Sequence, residues 1–485
     1  MPQIIYSAFM KRHSAIIFAI LLAGLHVYGQ ASSCHCLANL DTIINKTELN
    51  YAGYPAKTSG EKSARYKALV KSLRQRATGI SSPLKCFDVL KDYVSYFKDR
   101  HFDLSYQLDS SNRKFSTLTE KDVKNVLQKN DAAAIEGIWI NPDSTIKIAI
   151  RQSARDSYEG IVLESSDKQV PVGLIYLTLH LAPHGYTFLK YNYLTLNFPA
   201  RHEGGLLRLW NMELWGKVYP DQMSQPERSE LAIWKDHNSG FAFRQLDEKT
   251  AYLKLPTFGR DDLVQKLVAK NDSAIRHSPY LIVDLRGNGG GNTGWAYLLP
   301  YFMTRPIEQG TMYLRLSDDN SRRMLKEMEL FIKNPIPSGA EKYYTPAFMA
   351  KYRKAYQEIP DAQAEFYPIP TISIPVDEMP ANPHKIALVF DDLCGSSTEY
   401  FFHVSRQSDK IRRYGIPTLG MMDYIGMHHL TPLPFKDYHL VIPDTKSSWT
   451  DEAPIDATGF KPEYDLHNIS PKEWIEHIQK DLMMR

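Results

Sequence analysis

The sequence predicts an α/β protein with a helical N-terminal region and an all-β middle domain. Two strand–turn–helix units in the C-terminal half give the α/β class: Tyr280 to Asn292 and Lys385 to Ser397 each run from a short apolar stretch into a turn. Phe87, Leu90, Val94 and Phe97 recur at helical spacing in the N-terminal part. Ile146, Ile148 and Ile150 alternate with polar or small neighbours in the middle.

The elements follow in chain order. Residues 1–30 read as a secretory signal. Lys11, Arg12 and His13 precede an apolar run from Ala15 to Leu25, and Val27 and Gly29 match the small-residue pattern before a cleavage site. That run falls short of the roughly 20 apolar residues a membrane span needs, and no later stretch could cross a membrane. Secretion or a periplasmic location is therefore expected. Ala31-Ser32-Ser33-Cys34 loosely resembles a lipoprotein box, but it lies far from the apolar run and lacks leucine, so a lipid anchor is the less favoured location.

Residues 31–130 form the helical region, with helices expected over Glu61 to Arg76 and over 84–99, and a strand from His101 to Leu104. Cys34, Cys36 and Cys86 fall here, and in an exported chain one bridge among the three is expected. Residues 131–240 read as a small β-barrel or sandwich, with a second alternating stretch from Tyr186 to Phe198. Residues 241–485 carry the α/β sheet: a strand at Ala251 to Leu255, the unit at Tyr280 with a helix from Trp295 to Phe302, and a strand from Lys385 to Phe390. A turn from Asp391 to Gly395 and a helix from Ser397 to Arg413 complete it. An insertion at about 309–380 holds a charged helix (Ser321 to Lys333) and a proline-rich run that reads as extended.

Composition narrows the function. Lys+Arg 58 against Asp+Glu 55 leaves a net charge of +3 without a basic run, so nucleic acid is not an expected partner. His180 and His184 flank Pro183, which argues against a shared helical face, so neither a metal nor any other cofactor is expected.

Two segments carry candidate chemistry. Asp284-Leu285-Arg286-Gly287-Asn288-Gly289-Gly290-Gly291 ends a strand in glycines that bring bare backbone N–H groups close to an anion. Gly289, Gly291 and Gly294 match the dinucleotide fingerprint literally. However, Arg286-Gly287-Asn288 intervenes where such a turn would begin, and no Gly-Lys-Ser/Thr follows for a phosphate loop. The second segment, Cys394-Gly395-Ser396-Ser397-Thr398-Glu399, places a serine at a helix N-terminus. Ser396 and Glu399 have the spacing of a capping box, so capping competes with a nucleophilic role. Together the segments could supply what a tetrahedral intermediate needs: an attacking oxygen and two N–H donors.

These residues resemble the C-terminal processing (tail-specific) peptidases and their tricorn-core relatives, over roughly residues 240–470 and around His101. The resemblance implies a crotonase/ClpP-like ββα superfold and serine peptidase chemistry. Ser396 would be the nucleophile, and Gly289 or Gly290 with Ser397 the oxyanion donors. The lysine those peptidases use as base is absent, since Thr418-Leu419-Gly420-Met421 stands there, and no segment reads as a PDZ module. Phe97-Lys98-Asp99-Arg100-His101-Phe102 is similar to the tricorn-like branch's Asp-x-His motif, which implies His101 as base. Asp456-Ala457-Thr458-Gly459-Phe460-Lys461-Pro462 is similar to its acid-x-x-Gly-x-x-Pro motif, which implies Asp456 as the residue that orients the imidazole. Asp456 reads equally well as a turn residue ahead of Gly459. The expected function is an exported serine peptidase acting on a peptide or protein substrate. The alternative is a catalytically inactive relative that binds a peptide or apolar ligand in the same cleft.

Overall fold

The computed structural model describes residues 34–108, 110–129, 133–427 and 429–484. The segment read as a signal, 1–30, lies outside the described residues. Helices Cys36–Asn50, Tyr54–Thr58, Lys62–Ala77 and Pro83–Ser95 pack through Leu40, Ile43, Leu73, Phe87 and Leu90. A Cys36–Cys86 disulfide ties the first of these helices to the last. The amphipathic helix stops at Ser95, short of the expected residue 99. The chain then turns through Lys98, at φ 50°, into strand Asp103–Gln107.

Eight strands between Gly137 and Tyr219 close into a β-barrel, the last pairing back onto the first. Their alternation puts Trp139, Ile148, Val162, Leu179, Phe188 and Trp215 inside. The alternating stretch Tyr186 to Phe198 falls in a hairpin, strands Gly185–Lys190 and Tyr193–Glu203. The region is also not purely β, because helix Gln225–Ala232 covers the barrel through Leu231. Strand Asp103–Gln107 joins the barrel strand Tyr193–Glu203 to the C-terminal strand Tyr438–Val441, so one sheet links distant parts of the chain.

The second large sheet runs Ala242–Gln245, Thr250–Lys254, Tyr280–Asp284, Lys385–Phe390, Ile411–Gly415 and Tyr464–Asp465, parallel from its second strand onward. Both faces are covered, which explains why its strands read as unbroken apolar runs. Leu281 and Val283 face Val264, Phe401 and Phe402, while Ile282 faces Trp474, Ile478 and Leu482 of the C-terminal helix.

Two helices around this sheet are also shorter than the sequence suggests. The helix after Ser396 ends at Ser405, and Ile411–Gly415 is a sheet strand; the polar turn Gln407-Ser408-Asp409 breaks the periodicity between them. Trp295 to Phe302 is a 3-10 turn, Gly294–Leu298, followed by a single α turn, Leu299–Phe302. The insertion at about 309–380 is more structured than an extended proline run. Helices Asp318–Lys333 and Pro346–Glu358 share a small core of Leu314, Met328, Ala355 and Ile359. Its strands Met312–Arg315 and Phe366–Ile369 join Thr445–Lys446 and Tyr424–Ile425 in a four-stranded sheet. Among the described residues no helix is long and apolar enough to cross a membrane.

Candidate active site

Ser396 stands at the tip of a turn fastened from several sides. Asp391 accepts hydrogen bonds from the N–H groups of Gly287 (2.9 Å) and Leu393 (3.1 Å), and the Gly395 N–H donates to the Asn288 carbonyl at 3.1 Å. Held this way, Ser396 adopts φ 52°, ψ −125°, a conformation costly for a residue with a Cβ. The hydroxyl makes no capping bond to the helix behind it. Instead its Oγ lies 3.0 Å from Nε2 of His101.

His101 is buried at the start of the run into strand Asp103–Gln107. Its backbone N–H donates to Asp99 Oδ1 at 2.9 Å, and Tyr51 donates its hydroxyl to Asp99 Oδ2 at 2.8 Å. The ring Nδ1 lies 2.8 Å from the carbonyl of Tyr424. A carbonyl only accepts, so Nδ1 carries the proton and Nε2 is left bare to accept from Ser396. Burial lowers the His101 pKa, while Asp99 and the Tyr424 carbonyl pull it back. The imidazole is thus neutral near pH 7, as a general base must be.

Asp456 does not touch that imidazole, contrary to the expectation from its motif. The Nδ1 proton already has the Tyr424 carbonyl, and Asp456 Oδ2 is paired with Lys57 Nζ at 2.5 Å. Lys57 also donates to the carbonyl of Phe97 at 2.7 Å and lies 4.9 Å from the centre of the Tyr424 ring. The Asp456 carboxyl is pushed upward by burial and by nearby Asp99 and Asp423, against the pull of Lys57. Asp456 therefore sits one layer behind the histidine.

The glycine loop lies against the serine turn. A Cβ at Gly290, where φ is 94°, would fall 2.6 Å from Ser396 Cβ and 2.8 Å from the Ser397 nitrogen. Of the two glycines proposed as oxyanion donors, Gly290 has its N–H occupied by Asn288 Oδ1 at 2.9 Å. The Asn288 amide in turn donates to the Leu255 carbonyl at 2.9 Å, which fixes the loop. Among the described residues no hydrogen bond engages the N–H of Gly289 or of Ser397.

Glu399 does not close a capping box. Its buried carboxyl accepts from Thr418 Oγ1 (2.6 Å), Gly420 N (2.7 Å) and Met421 N (2.9 Å), and burial raises its pKa to about 7. It thus anchors the segment Thr418 to Met421 against the helix after Ser396. Cys394 is no competing nucleophile. Its thiol donates to the Leu285 carbonyl at 3.0 Å, and burial with the nearby Asp391 raises its pKa.

Sequence reasoning missed Tyr424 and Lys57. Tyr424 acts through a backbone carbonyl, which no side-chain pattern reveals. Lys57 is one lysine among many in a helical region.

A serine hydroxyl on an imidazole, beside a glycine loop at the ends of parallel strands, defines a serine hydrolase type of site. The model of peptidase family S41 matches residues 249–465, the segment with the sheet, the glycine loop and Ser396, and that match supports a serine-type peptidase. No curated protein matches the chain in sequence. Mature CPAF is similar in fold, with a TM-score of 0.51 at 14% identity, over 92% of this chain and 96% of that one. Mature CPAF complexed with lactacystin gives a TM-score of 0.50 at 13% identity, over 92% and 97%. The photosystem II D1 C-terminal processing protease gives 0.35 at 9% identity, over 91% and 96%.

Proposed function

We propose that the chain is an exported peptidase in which Ser396 attacks the peptide carbonyl and His101 takes its proton. The observation that carries this reading is the 3.0 Å contact between Ser396 Oγ and the bare Nε2 of His101. The Tyr424 carbonyl holds the ring in the right tautomer and, with Asp99, stabilises the imidazolium formed during attack. His101 then returns the proton to the leaving amine, and water repeats the sequence on the acyl-enzyme. The N–H groups of Gly289 and Ser397 receive the developing oxyanion, helped by the positive end of helix Ser397–Ser405. Asp456 acts at one remove, by holding Lys57 against the turn that precedes His101.

Export is supported by the Cys36–Cys86 disulfide, a bond that persists in oxidising compartments. Cys34 is fully buried, its Sγ 3.5 Å from Tyr438 Oη, which speaks against an acylated cysteine.

The test is hydrolysis of a denatured protein substrate by the purified chain, with products read by mass spectrometry beside Ser396→Ala. Cleavage that Ser396→Ala abolishes supports the reading. Cleavage that persists, or none under any condition while a peptide still binds, would favour a binding protein.

A further inference from the structure

The barrel reaches into the peptidase site through one side chain. Trp210 follows strand Leu206–Leu209 and sits at φ 46°, a conformation rare for a large residue and seen where the surroundings impose it. Its buried indole Nε1 donates to the Leu393 carbonyl at 2.9 Å, in the turn that leads to Ser396. The same ring covers Gly289, where a Cβ would lie 2.3 Å from the indole Cε2. The next residue adds a second link: Asn211 Nδ2 donates to Thr257 Oγ1 at 3.4 Å, and Thr257 donates to the Gly290 carbonyl at 3.1 Å. Behind the indole, Phe198 of the barrel lies 5.2 Å away, ring centre to ring centre.

We infer that Trp210 is a positioning residue, the barrel's prop that fixes the glycine loop relative to the serine turn so that the N–H groups of Gly289 and Ser397 meet one oxyanion. One ring touches both halves of that arrangement. On the opposite side of the loop Gly290 admits no side chain against Ser396, so the loop is held between indole and serine. Trp210 lies outside residues 249–465, so the barrel supplies a part of the site that the matched segment lacks. The consequence for catalysis rests on the peptidase reading above; the mechanical role does not.

Two measurements on the full chain separate these points. The first is hydrogen exchange of peptides covering 285–292 and 393–397 in Trp210→Phe and Trp210→Ala. Trp210→Phe keeps a smaller ring near Gly289 but loses the bond to Leu393 and part of the cover, so it serves if Trp210→Ala does not fold. Faster exchange in both segments, graded from Phe to Ala, is expected; parental exchange there in the folded variants overturns the inference. The second is the ratio of inhibition by a peptide aldehyde, which forms a tetrahedral adduct, to that by the matching peptide alcohol, which cannot. The ratio and kcat should fall together, about tenfold in Trp210→Phe and about a hundredfold in Trp210→Ala, with KM and alcohol binding unchanged. Val123→Ala, which disturbs a separate small core outside the one that holds the indole, should leave the ratio alone. A parental ratio in the Trp210 variants overturns the catalytic consequence. A parent that does not distinguish aldehyde from alcohol counts against the peptidase reading instead, and hydrogen exchange still decides whether Trp210 is the prop.

Discussion

Ser396 Oγ and His101 Nε2 meet at 3.0 Å although 295 positions separate them in the chain. Ser396 is carried by the parallel sheet, whereas His101 lies between the N-terminal helices and the strand that joins the barrel. Neither half holds the pair alone, so docking of the two assembles the candidate site.

The hydroxyl of Ser396 makes no cap, so its loss should leave stability almost untouched. Ser396→Ala is expected to lose about a thousandfold or more of turnover. Ser396→Gly should be equally inactive yet more stable than Ser396→Ala by roughly 1 kcal/mol, because glycine relieves the positive φ. Urea unfolding of the two variants checks this.

The acid limb of activity should report His101. Burial depresses its pKa, so kcat/KM should rise with pH through a midpoint below the ordinary value of about 6.5. The same shift bears on stability. Below about pH 6.5 the unfolded chain binds a proton that the folded histidine refuses, so this contribution is lost as pH falls. A pH–rate profile with its limb at or above 6.5 would refute the assignment.

Lys57 and Asp456 form a mostly buried pair, and removing one partner strands the other. Lys57→Met should cost about 3 kcal/mol, and Lys57→Met/Asp456→Asn should recover part of that. Asp456→Asn alone should slow turnover less than about tenfold, because the carboxylate does not touch the imidazole, whereas loss of a directly bonded triad carboxylate costs about ten-thousandfold. Equilibrium unfolding together with steady-state kinetics separates the two effects.

Gly290→Ala would drive a methyl into Ser396 and into the Ser397 nitrogen at a positive φ. Activity should be lost while the cavity behind the loop, lined by Arg208, Asp284, Arg286 and Asp391, is unaltered. A crystal structure of the variant, with its kcat, tests that prediction.

The glycine loop and Ser396 were legible because a strand, a run of glycines and a serine at a helix start must lie in sequence. Phe87, Leu90 and Val94 likewise pointed to a helix by spacing alone, and the motif at Asp99-Arg100-His101 pointed to the histidine. The third partner of the histidine could not be read, since Tyr424 uses its carbonyl and the acidic candidate Asp456 is held by Lys57. Ile411–Gly415 was hidden because it follows the polar run Gln407-Ser408-Asp409-Lys410 and itself carries Arg412 and Arg413, which suit a helix end as well as a strand.

The most direct test of the Ser396–His101 pair is labelling with a fluorophosphonate, followed by mapping of the modified residue. The account predicts an adduct on Ser396 that disappears in His101→Ala while the folded state persists. An adduct on another residue, or unchanged labelling of Ser396 without the imidazole, would contradict it.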